Sequence, residues 1–172
     1  MDDTGDNNSG DFQTAIDQAT EEEEGVWKKV MQVTSHSHVM FYICNSTAET
    51  FRLTAASWDV NGLDEKYVIR PWDYLSFVLR EEIPAFARGK LSTQAKHSFS
   101  YQGANEAFEF STSLKVAKEF DPFAFTPQTI PQRTHGIKST GKSPLKCASH
   151  ITRAMADRPF HYGVVIMLGD DF

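Results

Sequence analysis

The chain is short of cysteine, has no long apolar run and carries no Lys or Arg over its first 24 residues, and each shortage excludes something. Two cysteines, Cys44 and Cys147, cannot build a disulfide-dense scaffold, and without a secretory leader such a pair is expected as free thiols. Met1-Asp2-Asp3 opens on negative charge with no apolar segment behind it, so no signal peptide is read. Apolar runs such as Val164 to Leu168 are strand-sized, far from the roughly 20 residues of a membrane span. The expectation is a protein made soluble without a signal peptide, cytoplasmic or released by a non-classical route.

The net charge of −6 is unevenly spread. Nine of the 23 acids, Asp2, Asp3, Asp6, Asp11, Asp17 and Glu21 to Glu24, lie in the first 24 residues, leaving 14 acids against all 17 basic residues. The body is therefore about +3, with its basic residues scattered rather than striped, which argues against nucleic acid as a partner. The acidic lead suits a basic partner instead. Residues 1–25 are read as an acidic arm, largely disordered or weakly helical, and residues 26–172 as a single domain.

What the chain does have is alternation. Leu91, Thr93, Ala95, His97, Phe99 and Tyr101 take one parity, and Phe108, Phe110, Leu114 and Val116 repeat it after a break at Gly103-Ala104-Asn105. Successive strand side chains point to opposite faces, so this is a β-hairpin with one face for a core. Val39 to Cys44 is apolar at both parities, as a central strand would be. Further strands are read at Val26 to Val33, Phe51 to Ala55, Tyr67 to Ile69, Leu75 to Leu79 and Phe160 to Leu168. Phe12, Ala15, Ile16 and Ala19 form a helical stripe after a Ser9 cap, expected to fray at the Glu run.

From Asp121 the prolines Pro122, Pro127, Pro131 and Pro144 leave no sustained period, so residues 121–158 read as a long surface loop with a helix near Leu145 to Ala156. The fold class is thus an all-β antiparallel β-sandwich. It carries a short N-terminal helix and a long, partly helical loop before the last strand.

Motifs that carry chemistry are few. Gly136-Ile137-Lys138-Ser139-Thr140-Gly141-Lys142-Ser143 fits the phosphate-cradling pattern G-x-x-x-x-G-K-[ST], whose glycines free backbone N–H groups for phosphate and whose Lys neutralises it. That pattern needs a buried strand before it and a helix after it, and Thr129 to His135 is polar and broken by Pro131. Gly136, Gly141, Lys142 and Ser143 therefore stand only as an alternative phosphate-binding set, of a nucleotide-binding enzyme. His36-Ser37-His38 puts two imidazoles on one face of an extended segment, but no third ligand can be named, so no metal is expected. Neighbouring acids such as Glu81-Glu82 point apart on a strand, and no nucleophile elbow exists. A non-enzymatic role without a cofactor is the expectation. Trp58, Trp72, Tyr74, Phe120, Phe123 and Phe125 fall at strand ends or turns, where rings suit a lipid interface or a sugar.

The order of features resembles the actinoporin-like and aegerolysin-like β-sandwiches, a group of haemolysins and fungal lectins. The resemblance rests on Asn45-Ser46-Thr47 after an apolar strand, Trp58 and Gly62, Ile69-Arg70-Pro71, Arg88-Gly89 before Ser98-Phe99-Ser100-Tyr101, and Ala107-Phe108-Glu109-Phe110-Ser111. It implies recognition of lipid head groups or glycans, with Ser98, Ser111 and the aromatics from Phe120 to Phe125 near the head group, and oligomeric pores on a membrane in some members. The expected function is a lipid head-group or membrane-surface binding protein, toxin-like, with a soluble glycan-binding lectin as the alternative.

Overall fold

In a computed structural model the described residues are 6–62, 64–81, 92–119, 122, 123 and 127–170. They form two four-stranded sheets packed face to face, with one long helix laid on the outside of the first. The hairpin is present as β4 (Ser92–Gln102) and β5 (Ala107–Glu119), registered so that Phe99 faces Phe110 and Tyr101 faces Phe108. Its turn is held from outside by the Glu49 carboxylate, which accepts from the backbone N–H groups of Asn105 at 3.0 Å and Glu106 at 3.1 Å.

The first sheet runs β3 (Asp73–Glu81), β1 (Ser37–Asn45), β8 (Tyr162–Leu168), β7 (Cys147–Ala154). β1 is central, antiparallel to β3 and parallel to β8, which explains its apolar residues at both parities. Val39, Phe41 and Ile43 enter the core between the sheets, while Tyr42 points outward and its hydroxyl donates to the Ala19 carbonyl of the helix. The second sheet runs β2 (Arg52–Ala56), β4, β5, β6 (Gln128–Ser139). Between them Phe41, Phe77, Phe99 and Phe110 interlock at ring separations of 5.0 to 6.0 Å. Each such buried ring contributes roughly 2–3 kcal/mol of hydrophobic stabilisation.

Three sequence expectations are corrected. Residues 121–158 are not a partly helical loop: β6 and β7 occupy most of the described part, and Leu145 to Ala156 holds a strand where a helix was expected. Pro131 misled because proline breaks a central strand, but β6 is the edge of its sheet and one of its sides owes no ladder donor. The helix, α1 (Asp6–Met31), is not short, and it absorbs most of the strand expected at Val26 to Val33. Trp27 and Val30 continue the stripe of Phe12, Ile16 and Ala19 at helical spacing, and both are buried. Tyr67 closes one turn of 3-10 helix, and Ile69 makes only an isolated bridge with Phe51.

The Glu run does not fray α1, because the sheet supplies partners. Glu22 accepts from the Tyr74 hydroxyl at 2.5 Å and from Ser76 at 3.1 Å, and Arg153 on β7 holds Glu23 at 2.9 Å and Glu24 at 2.6 Å. No helix among the described residues is long and apolar enough to cross a membrane.

Candidate functional site

α1 lies over β3 and β1 and leaves the outer face of β8 and β7 only partly covered beside it. The space between forms a groove of about 820 Å³, floored by Met40, Tyr42 and Cys44 of β1 and by Val165 and Met167 of β8. Phe12 and Ile16 of α1 make its wall. These side chains exist because β1 and β8 carry apolar residues on both faces, one set for the core and one for the groove. Gln13, Thr20, Thr152 and Arg153 supply polar groups at its margin, so an apolar trough has a few fixed polar points, the usual make-up of a ligand site. Cys44 faces this groove while Cys147 packs on the core side of the same sheet, and both are free. Burial pushes the Cys44 thiol up to about 11, so it stands protonated at neutral pH and is a poor nucleophile.

A second cavity of about 610 Å³ lies at one pole of the sandwich, where four loops and the segment following β8 converge. Ser46, Thr47, Trp72, Glu106, Lys146 and Asp170 line it. Trp72 has φ of 55°, the left-handed region that a bulky residue seldom adopts. Burial raises the Glu106 pKa, with the charges of Glu49 and Asp170 adding to the effect.

The sequence-selected residues are scattered among different roles. Trp58 is a core cap, its ring against Tyr67, Phe77, His97 and Phe99 at centroid distances of 5.7 to 6.4 Å. Tyr74 stacks on Tyr42 at 5.8 Å and anchors α1 through Glu22, a bond that pushes its phenol up to about 12. Trp72 lines the polar hollow. Ser98 and Ser111 face each other across the hairpin beside Gly136, over a shallow depression on the open face of the second sheet. Phe123 is 93% exposed, and Phe120 and Phe125 lie outside the described residues.

Of the phosphate-loop pattern, Gly136 to Ser139 belongs to β6, and the next element is strand β7 where such a loop leads into a helix. Two backbone N–H groups of the segment are engaged: Thr140 donates to Ala107 at 2.9 Å and Ser143 to Asn105 at 3.0 Å. Gly141 is small because a side chain there would strike the backbone of Asn105 to Ala107.

His38 meets His161, which stands just before β8. The rings lie 5.2 Å apart, the His161 Nδ1 accepts from the His38 backbone N–H at 3.0 Å, and its Nε2 donates to the Val33 carbonyl at 2.8 Å. No group of three His, Cys, Asp or Glu side chains among the described residues is placed to hold a metal ion.

Two elements of the groove had a sequence signal, the two-sided apolar run at Val39 to Cys44 and the stripe at Phe12 and Ile16. Arg153 and Glu106 had none. The chain matches no protein-family model and no curated protein.

Proposed function

We propose that this protein is a non-enzymatic binder of lipid-like amphiphiles, with the apolar chain of the ligand lying in the groove beside α1. The observation that carries this reading is the groove itself, about 820 Å³ of space between an apolar sheet face and an amphipathic helix, within the range of small-molecule sites. Val165 and Met167 are half-buried on an outer face that α1 leaves partly open, and an acyl chain laid there would complete their burial. The sandwich resemblance points to the same ligand class. Pore formation by α1 is not part of the proposal, because Glu21 to Glu24 would have to enter the bilayer at high cost.

Titration with a fluorescent single-chain fatty acyl probe below its micelle concentration tests the reading. Saturable binding near one site per chain is expected, weakened about tenfold or more by Ile16→Trp, which fills the groove from the helix side. Circular dichroism checks that the variant folds, and Met167→Lys serves as the second variant. Absence of saturable binding by the wild type would sink the proposal.

A further inference from the structure

The groove and the polar hollow are consecutive stretches of one surface. β1 and β8 run side by side in parallel, with Tyr42, Cys44, Val165 and Met167 on the groove side, and Ser46 and Gly169, which line the hollow, come one two-residue step later, just past the strand ends at Asn45 and Leu168. One such step is only about 6.6 Å of strand, so the hollow begins where the groove stops. Phe12, which walls the groove, packs edge-on against Trp72, which lines the hollow, with ring centroids 6.4 Å apart.

We infer that groove and hollow take one ligand, an amphiphile whose chain lies in the groove and whose head, an uncharged polyhydroxylated ring of the kind found in a glycolipid, sits in the hollow against Trp72. This rests on the groove reading above and adds the class of head group.

The chemistry of the hollow selects such a head by its mixture of donors and acceptors. Lys146 Nζ lies 3.5 Å from Asp170 as an exposed pair, so the hollow carries charge of both signs. Glu106 contributes a carboxyl oxygen, Oε2, that is buried and has no hydrogen-bond partner among the described residues.

A phosphate or sulfate would meet Glu106 and Asp170, with Glu49 close behind, and an ammonium would meet Lys146. A sugar hydroxyl both donates to a carboxylate and accepts from an ammonium, so it satisfies both kinds of group at once. Trp72 offers the flat apolar surface on which the C–H face of a pyranose stacks, and its left-handed backbone is a strained arrangement of the sort that clusters at ligand sites.

Calorimetry of the full chain with three amphiphiles of one chain length, dodecyl glucoside, dodecyl sulfate and dodecyl trimethylammonium, all below micelle concentration, tests the inference. The glucoside is expected to bind about tenfold or more tightly than either charged compound. Trp72→Gly, which suits the positive φ, and Glu106→Ala are each expected to erase that preference while the acyl probe still binds. Equal affinity for the three heads, preference for a charged head, or a glucoside preference that survives both variants would overturn the head-group assignment and leave the groove reading standing. Failure of all three compounds and of the acyl probe to bind would overturn both.

Discussion

At the scale of single residues, Asn45 ties the loops at the pole beneath the hollow. Its side chain is fully buried, donates to the carbonyls of Glu49 and Arg70, both at 2.8 Å, and accepts from the Thr47 N–H at 3.0 Å and the Thr47 hydroxyl at 2.8 Å. Asn45-Ser46-Thr47 reads as a glycosylation sequon, but an amide with both its hydrogens engaged inside the fold is no acceptor for a glycan. Asn45→Ala strands two carbonyls without donors and is expected to cost about 3 kcal/mol in urea denaturation, at about 1–3 kcal/mol for each unsatisfied group. Trp58 gives the opposite contrast to Trp72. It was selected from the sequence as a ligand residue, yet it packs on four core rings. Trp58→Ala should therefore lower stability by about 3 kcal/mol, read by the same denaturation, without changing acyl-probe affinity.

At the scale of elements, α1 is docked by a small apolar stripe, an acidic clamp and a histidine tie, and the last two respond to acid. Burial holds the pKa values of His38 and His161 below the ordinary imidazole value, and the neighbouring charges of His161, Arg80 and His36 add to this for His38. Because the folded values are depressed, the contribution to stability is complete above about pH 6.5 and is lost as pH falls through the folded values. Protonated His161 Nδ1 cannot accept from His38, so the link from β1 through His161 to Val33, just beyond the end of α1, breaks. Glu24 is held below the usual carboxylate range mainly by its hydrogen bond to Arg153, so its contribution fades only at lower pH, below about 4.3. Hydrogen exchange followed from pH 7 to 4 is expected to show α1 amides losing protection before those of β4 and β5, with His161→Gln removing the first stage. At neutral pH Arg153→Ala should speed exchange in α1 about fivefold and leave the hairpin unchanged.

At the scale of the whole molecule, the core and the groove lie on opposite faces of one sheet, so they are separable. Removal of residues 6–31 would leave the interlocked rings between the sheets in place but expose Met40, Tyr42, Val165 and Met167. The expected result is a folded sandwich with a lower Tm and increased binding of a hydrophobic dye; a wholly unfolded chain would show that α1 is needed for the core as well. Much of this layout was legible in the sequence, because period-two alternation is a local property: Phe99, Tyr101, Phe108 and Phe110 face the core whatever the rest of the chain does. Val39 to Cys44 announced a strand covered on both sides for the same reason. Local signals misled where the outcome depended on a neighbour. Pro131 is harmless only at a sheet edge, Glu22 to Glu24 are tolerated only because Tyr74, Ser76 and Arg153 stand opposite, and Gly136 to Ser143 imitates a phosphate loop only as a string of letters. The sequence by itself thus determined the sandwich and its inward faces, through alternation. What covers the outer face of the first sheet, and which residues meet in the groove and the hollow, was decided by tertiary structure, because pairing Val39 with Tyr162 brings together segments whose meeting no local pattern encodes.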